Sequence, residues 1–312
     1  MINNKKIILS MATMPCRKER LKENLPSIYS QSYDFDVLIL NVNNNVTDED
    51  MNWYNELSNS YDKIMVNKCE DKWKSCNKLL PTLKMYPDDI IITIDDDIFY
   101  PKDCIKELIM QYLKTPDCIV AHEINPLKII DNKINYDNGY DIKLKQKEWG
   151  KYLTGCALFP PHIFDNTELY DYDKMIYCTD GIHDELWFWI NSTLNGVQCI
   201  GLNYVKSFQM DIKTPWKDEE YRISSVLNGK QSPINSYMNK INELYGARLM
   251  EIINSKKVLF TLDCNNIATF LHEAPFIKHL YSYGFNVNID ALTKEWAHLL
   301  NSVLNKNARF YY

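Results

Sequence analysis

Glycine is scarce, with nine in 312 residues. None of them forms G-x-G-x-x-G or a Walker A loop, so the chain lacks the usual glycine cradle of a dinucleotide-binding enzyme or a P-loop NTPase. No apolar run approaches the length of a membrane span. The first residues, Met1-Ile2-Asn3-Asn4-Lys5-Lys6, lead into an apolar stretch too short for the core of a signal peptide, and no small-residue cleavage site follows. The expectation is a cytoplasmic chain with no integral membrane segment, any membrane association being peripheral. Basic runs of six or more are absent and the formal net charge is −6, which argues against a nucleic-acid partner. Cysteine is plentiful but unpatterned: nine residues, an odd number, with no C-x-x-C pair. That scatter suggests reduced thiols rather than a disulfide framework or a zinc site. Asn45-Val46-Thr47 and Asn191-Ser192-Thr193 match glycosylation sequons, but without a secretory signal they carry no weight.

What is present is an ordinary globular composition, 46% hydrophobic, able to bury a substantial core. Over the first 125 residues strand and helix patterns alternate. Strands are expected at Lys6 to Ser10, Phe35 to Leu40, Lys63 to Val66, Ile90 to Ile94 and Cys118 to Ala121. Helices are expected at Arg17 to Gln31, Asp48 to Ser60, Lys72 to Met85 (bent at Pro81) and from Pro101 to about Lys114. This succession predicts an α/β fold with a mostly parallel sheet and helices on both faces. Asn125 to Gly150 reads as a hairpin or long loop. Leu153 to Phe159 and Gln198 to Leu202 read as strands, and His183 to Leu194 as a helix. Lys206 to Pro233, with Trp216, is irregular and suits a mobile lid. Helices at Ile234 to Ile253 and Lys294 to Leu304 flank a short strand at Val258 to Leu262.

The sharpest chemical signal is Asp95-Asp96-Asp97, directly after the β-branched run Ile90-Ile91-Ile92-Thr93-Ile94. Such a run reads as a buried central strand, and the carboxyl ends of such strands line the ligand crevice of open α/β sheets. Three carboxylates there repel one another unless a cation neutralises them. Mg²⁺ or Mn²⁺ shared with substrate phosphates is the economical solution. Asp95 and Asp97 share a side in extended geometry. Asp97 is the favoured direct ligand, with Asp95 reaching the metal or a ribose. A solvated acidic loop is the bland alternative.

A second signal is His183-Asp184-Glu185-Leu186-Trp187, where two carboxylates open a helix. Helix-start acids are often only dipole partners. Asp184 and Trp187 share a face, however, which suits a general base beside an apolar sugar platform. His183 reads as a hydrogen-bonding neighbour. Thr154-Gly155-Cys156 precedes an apolar strand, and glycine there would let backbone approach a substrate. Arg17 and Lys78 are lone cations near predicted sheet edges. Tyr136, Tyr140, Trp149 and Tyr152 could stack on sugar rings, although aromatics are common in this chain.

Together these stretches resemble a GT-A fold glycosyltransferase, close to a family-2-like group of bacterial and viral enzymes. LSMATMPCR is similar to the family's S-x-x-T-x-P-x-R start, and the second strand ends LILNV. CNKLLPTL followed by IIITIDDDIFYP resembles a K-L-x-P-x-L segment and a strand-DDD-x-x-Y-P arrangement. TGCALFPPHIF and HDELWF resemble a G-x-x-x-(Y/F)-P-P segment and a D-(D/E)-x-W helix start. The resemblance covers about residues 5–200. Two departures stand out: Trp73-Lys74-Ser75-Cys76-Asn77 lacks a Gly-Pro before Lys78, and Glu185 stands where Asp is commoner.

The resemblance implies a hexosyltransferase-type enzyme that moves a sugar from a nucleotide-sugar, UDP-linked for preference, to a glycan or polysaccharide acceptor. Thr13, Arg17 and Asn41 would lie near base and ribose. Lys78 and Asp96 would belong to the donor site, and Asp95 and Asp97 would hold the metal and diphosphate. Asp184, or Glu185 beside it, would be the base of an inverting reaction. It also implies a catalytic domain at 1–205, with nucleotide-sugar binding over about 1–125 and the acceptor side over about 126–205. Residues 206–312 would be a lid and a mainly helical extension. Two other readings stand beside this one. A haloacid-dehalogenase-type phosphatase also uses strand-end aspartates, but Phe99 occupies its Thr/Val position. A non-catalytic glycan-binding homologue is the other.

Overall fold

The structure, a computed structural model, describes residues 2, 4–136, 147–202 and 234–255, and three short strands beyond them (257–261, 286–290 and 309–311). The expected lid, the expected helix at Lys294 to Leu304 and Tyr140 lie outside the described residues.

The chain begins with β1 (Ile7–Thr13), a 3-10 turn at Pro15–Arg17 and α1 (Lys18–Tyr29). Then come β2 (Val37–Asn43), α2 (Asp48–Ser60) and β3 (Ile64–Cys69). Thr47 and Asp50 close a capping box at the start of α2, which is why that helix begins where its acidic residues predict. β4 (Ile90–Ile94), α4 (Cys104–Tyr112) and β5 (Ile119–Ala121) follow, with the short α3 (Leu80–Met85) ahead of β4. β6 (Ile124–Ile130) and β7 (Lys133–Tyr136) form the expected hairpin, and β8 (Lys147–Glu148) and β9 (Gly150–Tyr152) precede β10 (Cys156–Phe159). The sequence pattern missed the eight-residue α5 (Tyr172–Thr179), capped by Asp171. α6 (Asp184–Leu194), β11 (Cys199–Gly201) and α7 (Ile234–Ser255) complete this part. No helix among the described residues is long and apolar enough to cross a membrane.

The main sheet has the order β3-β2-β1-β4-β10-β5-β11-β8. β1 to β4 are parallel neighbours, and β5 and β11 run parallel to each other. β10 is inserted between β4 and β5, antiparallel to both. The sheet is buried on both faces, so its central strands are apolar throughout. Ile7, Leu9, Ile90 and Ile92 pack with α1, α2 and α4, whereas Ile8 and Ile91 face the core shared with α6 and α7. β12 (Lys257–Thr261), β13 (Asn286–Asp290) and β14 (Arg309–Tyr311) form a separate parallel sheet, so strands accompany the long helix of the C-terminal part.

Two helix expectations require correction. Pro101 does not open α4; it lies three residues ahead and its carbonyl accepts the Cys104 amide at 3.0 Å. The stretch Lys72 to Met85 is not one bent helix. A 3-10 segment, Asp71–Lys78, is broken at Lys74 (φ 47°, ψ −122°), and Pro81 sits in the first turn of α3. Lys74 thus adopts a left-handed conformation suited to glycine, in the stretch where the family resemblance leads one to expect Gly-Pro. Holding a non-glycine residue there costs about 1–3 kcal/mol. Lys74→Gly is therefore expected to raise stability by about 1 kcal/mol after the added chain entropy of glycine. Urea unfolding would check this, and a loss of stability would mean the lysine side chain outweighs the strain.

Candidate active site

The carboxylate cluster leaves β4 on a clamped backbone. The Asp95 amide donates to the Tyr100 hydroxyl at 2.6 Å, and that hydroxyl donates to the Gly155 carbonyl at 2.6 Å. The Asp95 carbonyl accepts from Asn24 Nδ2 at 3.1 Å. Tyr100 thereby ties the end of β4 to the start of β10. Gly155 is required by close approach: a Cβ there would meet Asp95 Oδ2 at 2.8 Å. The glycine was expected to admit a substrate; what it admits in this structure is the Asp95 carboxylate.

The three aspartates have different surroundings. Asp96 is buried, 1% exposed, and accepts from Arg17 Nη1 at 2.8 Å, with Thr13 beside it. Burial raises its pKa against the pull of Arg17. Asp97 is about a quarter exposed and 3.6 Å from the same guanidinium nitrogen. Burial, then Asp95 and Asp96, push its carboxyl up to about 6. Asp95 is ion-paired with Lys78.

Lys78 links this cluster to the start of α6. Its Nζ lies 3.3 Å from Thr154 Oγ1 and 3.8 Å from Asp184 Oδ2. Thr154 donates to the same Asp184 oxygen at 2.8 Å. Burial acts against the lysine charge, but Asp95 and Asp184 outweigh it and raise the pKa. Asp184 is 5% exposed. Its carboxyl is pushed up to about 6, chiefly by burial, with Lys78 opposing and Glu185 adding to the rise. A carboxyl in that range is matched to proton transfer near neutral pH.

Beneath Lys78 is a buried polar network. Ser10 Oγ donates to the Lys78 carbonyl at 2.5 Å and lies 2.6 Å from Thr82 Oγ1. Asn41 donates to Thr82 at 3.0 Å and to Ser10 at 3.3 Å, and accepts from Asn67 at 2.7 Å. The amide of Asn41, expected beside base and ribose, is used inside this network, where it anchors the segment carrying Lys78.

Thr13, Arg17, Lys78, Asp95, Asp96, Asp97 and Asp184 therefore converge as the sequence suggested. Glu185 points elsewhere, with Lys151 and His183 each 4.0 Å from its carboxylate. Burial, then Lys151, lowers the His183 pKa. Several aromatic expectations fail. Trp187 is fully buried, with its indole N–H donated to the Leu169 carbonyl at 2.8 Å, so it is core rather than a sugar platform. Trp149 and Tyr152 are buried too. Sequence reasoning overlooked Tyr100 and Asn24. Tyr100 was visible in the DDD-x-x-Y-P stretch. Asn24 is a buried polar residue among Leu21, Leu25 and Ile28 on α1, which was its only signal.

A mostly parallel sheet thus carries an antiparallel strand beside a strand-end carboxylate cluster. Residues 12–159 match the model of the family described as Glycosyl transferase family 2. Comparison with curated proteins gives no match. Among solved structures, S. aureus TarS 1-349 in complex with UDP is similar at 12% identity and a TM-score of 0.42, over 63% of this chain and 58% of that one. The TarS 1-349 complex with UDP-GlcNAc gives 12% identity and 0.42, over 63% and 56%. The chain thus spans less than two thirds of the TarS chains it matches. A 4-diphosphocytidyl-2C-methyl-D-erythritol synthase gives 14% identity and 0.40, over 68% of this chain and 97% of that one.

Gly155→Ala is expected to displace the Asp95 carboxylate. Overpacking of this kind costs about 1–3 kcal/mol. Denaturant unfolding should show that loss. Unchanged stability would mean that Asp95 moves aside freely.

Proposed function

We propose that this chain is a metal-dependent, inverting glycosyltransferase that moves a sugar from a nucleotide-sugar, UDP-linked for preference, to a hydroxyl of a glycan or polysaccharide. The observation that carries the reading is the bridge from Asp95 through Lys78 to Asp184, which brings a strand-end cluster and a helix-start carboxylate into one site. The donor set fits a hard divalent cation: Asp95 and Asp97 offer carboxylate oxygens, each about a quarter exposed, and burial, then the neighbouring aspartates, raise the Asp97 pKa. Asp95 and Asp97 would hold Mn²⁺ or Mg²⁺, which when bound neutralises the departing diphosphate.

The remaining steps belong to the chain's own residues. Arg17 holds Asp96 inward and leaves Asp97 facing outward. Lys78 fixes Asp95 and keeps positive charge next to the phosphates. Asp184, ionised above about pH 6, takes the acceptor hydroxyl proton. The acceptor oxygen then bonds to the anomeric carbon as the bond to the diphosphate breaks, and the diphosphate leaves with the electron pair. Attack from the face opposite the leaving group inverts the centre. Alignment of the two substrates supplies much of the acceleration. We place the reaction in the cytoplasm, in keeping with nine cysteines whose spacing forms no disulfide framework.

Asp97→Ala should abolish Mn²⁺-dependent binding of UDP with apo stability unchanged or slightly raised, because a repelling carboxylate is removed. Calorimetry that found unaltered affinity would refute the metal assignment.

Asp184→Asn should lower turnover by about 10²–10⁴-fold, the usual contribution of a general base, with little change in UDP binding. Glu185→Gln is the paired control. Full activity in Asp184→Asn would remove the base assignment. In the wild type, turnover should rise with pH through about 6. The stability trend has the opposite sign. The folded pKa of Asp184 is raised, so its contribution is fully present below the unfolded value and is lost as pH rises through about 6. Asp184→Asn lacks this titration. Its stability relative to wild type should therefore improve between about pH 4 and 7, which thermal melts across that range would detect.

A further inference from the structure

Three side chains on the face of the sheet covered by α4 converge on one point. Cys104 is the first residue of α4, His122 follows β5 and Cys156 begins β10. Their ligating atoms all lie within 4.8 Å of one another and all three residues are buried. Cys104 Sγ is 3.0 Å from Cys156 Sγ and 3.2 Å from His122 Nε2. The Cys104 carbonyl oxygen lies 3.2 Å from the same imidazole nitrogen.

We infer that Cys104, His122 and Cys156 supply three protein ligands to a thiophilic metal ion, zinc in the first instance, which fastens α4, β5 and β10 together and keeps its fourth position open. Two sulfurs and an imidazole nitrogen, with no carboxylate, are the donor set of zinc and not of the oxygen-seeking Mg²⁺ or Mn²⁺. At zinc–sulfur bonds of about 2.3 Å, tetrahedral geometry places two sulfurs roughly 3.8 Å apart. The pair must open by under about 1 Å, within reach of small side-chain rotations. The N-terminus of α4 offers a favourable dipole to a thiolate at Cys104. The histidine distinguishes this cluster from a mere pair of neighbouring thiols, because its Nε2 is directed at the same sulfur.

The site would be separate from the acidic cluster yet mechanically joined to it. Cys156 follows Gly155, which abuts the Asp95 carboxylate, and pairs in register with Ile94, which precedes Asp95. An ion holding Cys156 would fix the strand that supports Asp95. This inference does not rest on the transfer reaction.

The test uses the full chain purified under reducing conditions without chelator. Expected are stoichiometric zinc by mass spectrometry of the metal, a lower Tm after chelation that added zinc restores, and a thiolate-to-cobalt charge-transfer band when Co²⁺ is titrated into the stripped protein. Cys104→Ser and Cys156→Ser should each lose the band, whereas Cys16→Ser, exposed and outside the cluster, should keep it. Absence of both zinc and the band in the wild type would overturn the proposal, as would a band that survives Cys104→Ser with Cys156→Ser. Recovery of a Cys104–Cys156 disulfide from protein alkylated without reductant would also overturn it, in favour of an oxidised pair. If the serine variants do not fold, the wild-type cobalt band and the zinc-linked Tm shift decide.

Discussion

The Lys78 ammonium, set between Asp95 and Asp184, is the interaction on which the rest of the site depends. It is largely buried, so its charge persists only because two carboxylates face it. Removing one partner of a buried pair of this kind commonly costs about 3–5 kcal/mol, because the other charge is left uncompensated. The segment bearing Lys78 is itself held at its carbonyl by Ser10, within a network that includes Thr82, Asn41 and Asn67. A chain of buried polar contacts thus runs from the middle of the sheet to the Asp184 carboxylate. Each member must be satisfied for the next to stay in place.

The second constraint is the antiparallel β10. A sheet of purely parallel strands would place β5 beside β4 and leave the end of β4 without Thr154 and Gly155. Inserting β10 in the opposite direction brings its beginning next to the end of β4, through the pairing of Cys156 with Ile94. Thr154 then reaches Asp184, Gly155 admits Asp95, and Tyr100 closes the junction. A change of strand direction and one missing Cβ place three elements around a single oxygen-rich pocket.

Much of this was legible in the residue order, and the parts that were not share a cause. The run Ile90 to Ile94 reveals a doubly buried strand because period and composition are local properties, and the aspartates after it inherit their place from that strand. Asp184 is visible for a similar reason, since a helix start marks itself. Trp187 misleads because burial is decided by partners far along the chain. Nothing near Trp187 in sequence announces the Leu169 carbonyl that takes its N–H. The left-handed Lys74 is hidden as well, because a lysine gives no local signal for positive φ. The scattered cysteines show the same limit: Cys104, His122 and Cys156 have no motif spacing, yet three separate elements bring them together.

The three consecutive aspartates finally make sense as a division of charge. Arg17 compensates Asp96 in the interior, and Lys78 compensates Asp95 at the junction with β10. Asp97 lies 3.6 Å from Arg17, and burial, then Asp95 and Asp96, raise its pKa. Two resident cations against three carboxylates, with Asp184 as a fourth close by, leave the pocket short of positive charge. Its two more accessible carboxylates are Asp95 and Asp97. A divalent ion on their outward side would correct the deficit without displacing either lysine or arginine. A diphosphate alone would add to the negative charge and be repelled. Under the proposed function, the electrostatics favour metal and diphosphate arriving as partners, with Asp184 set apart from them by Lys78 and left for the acceptor.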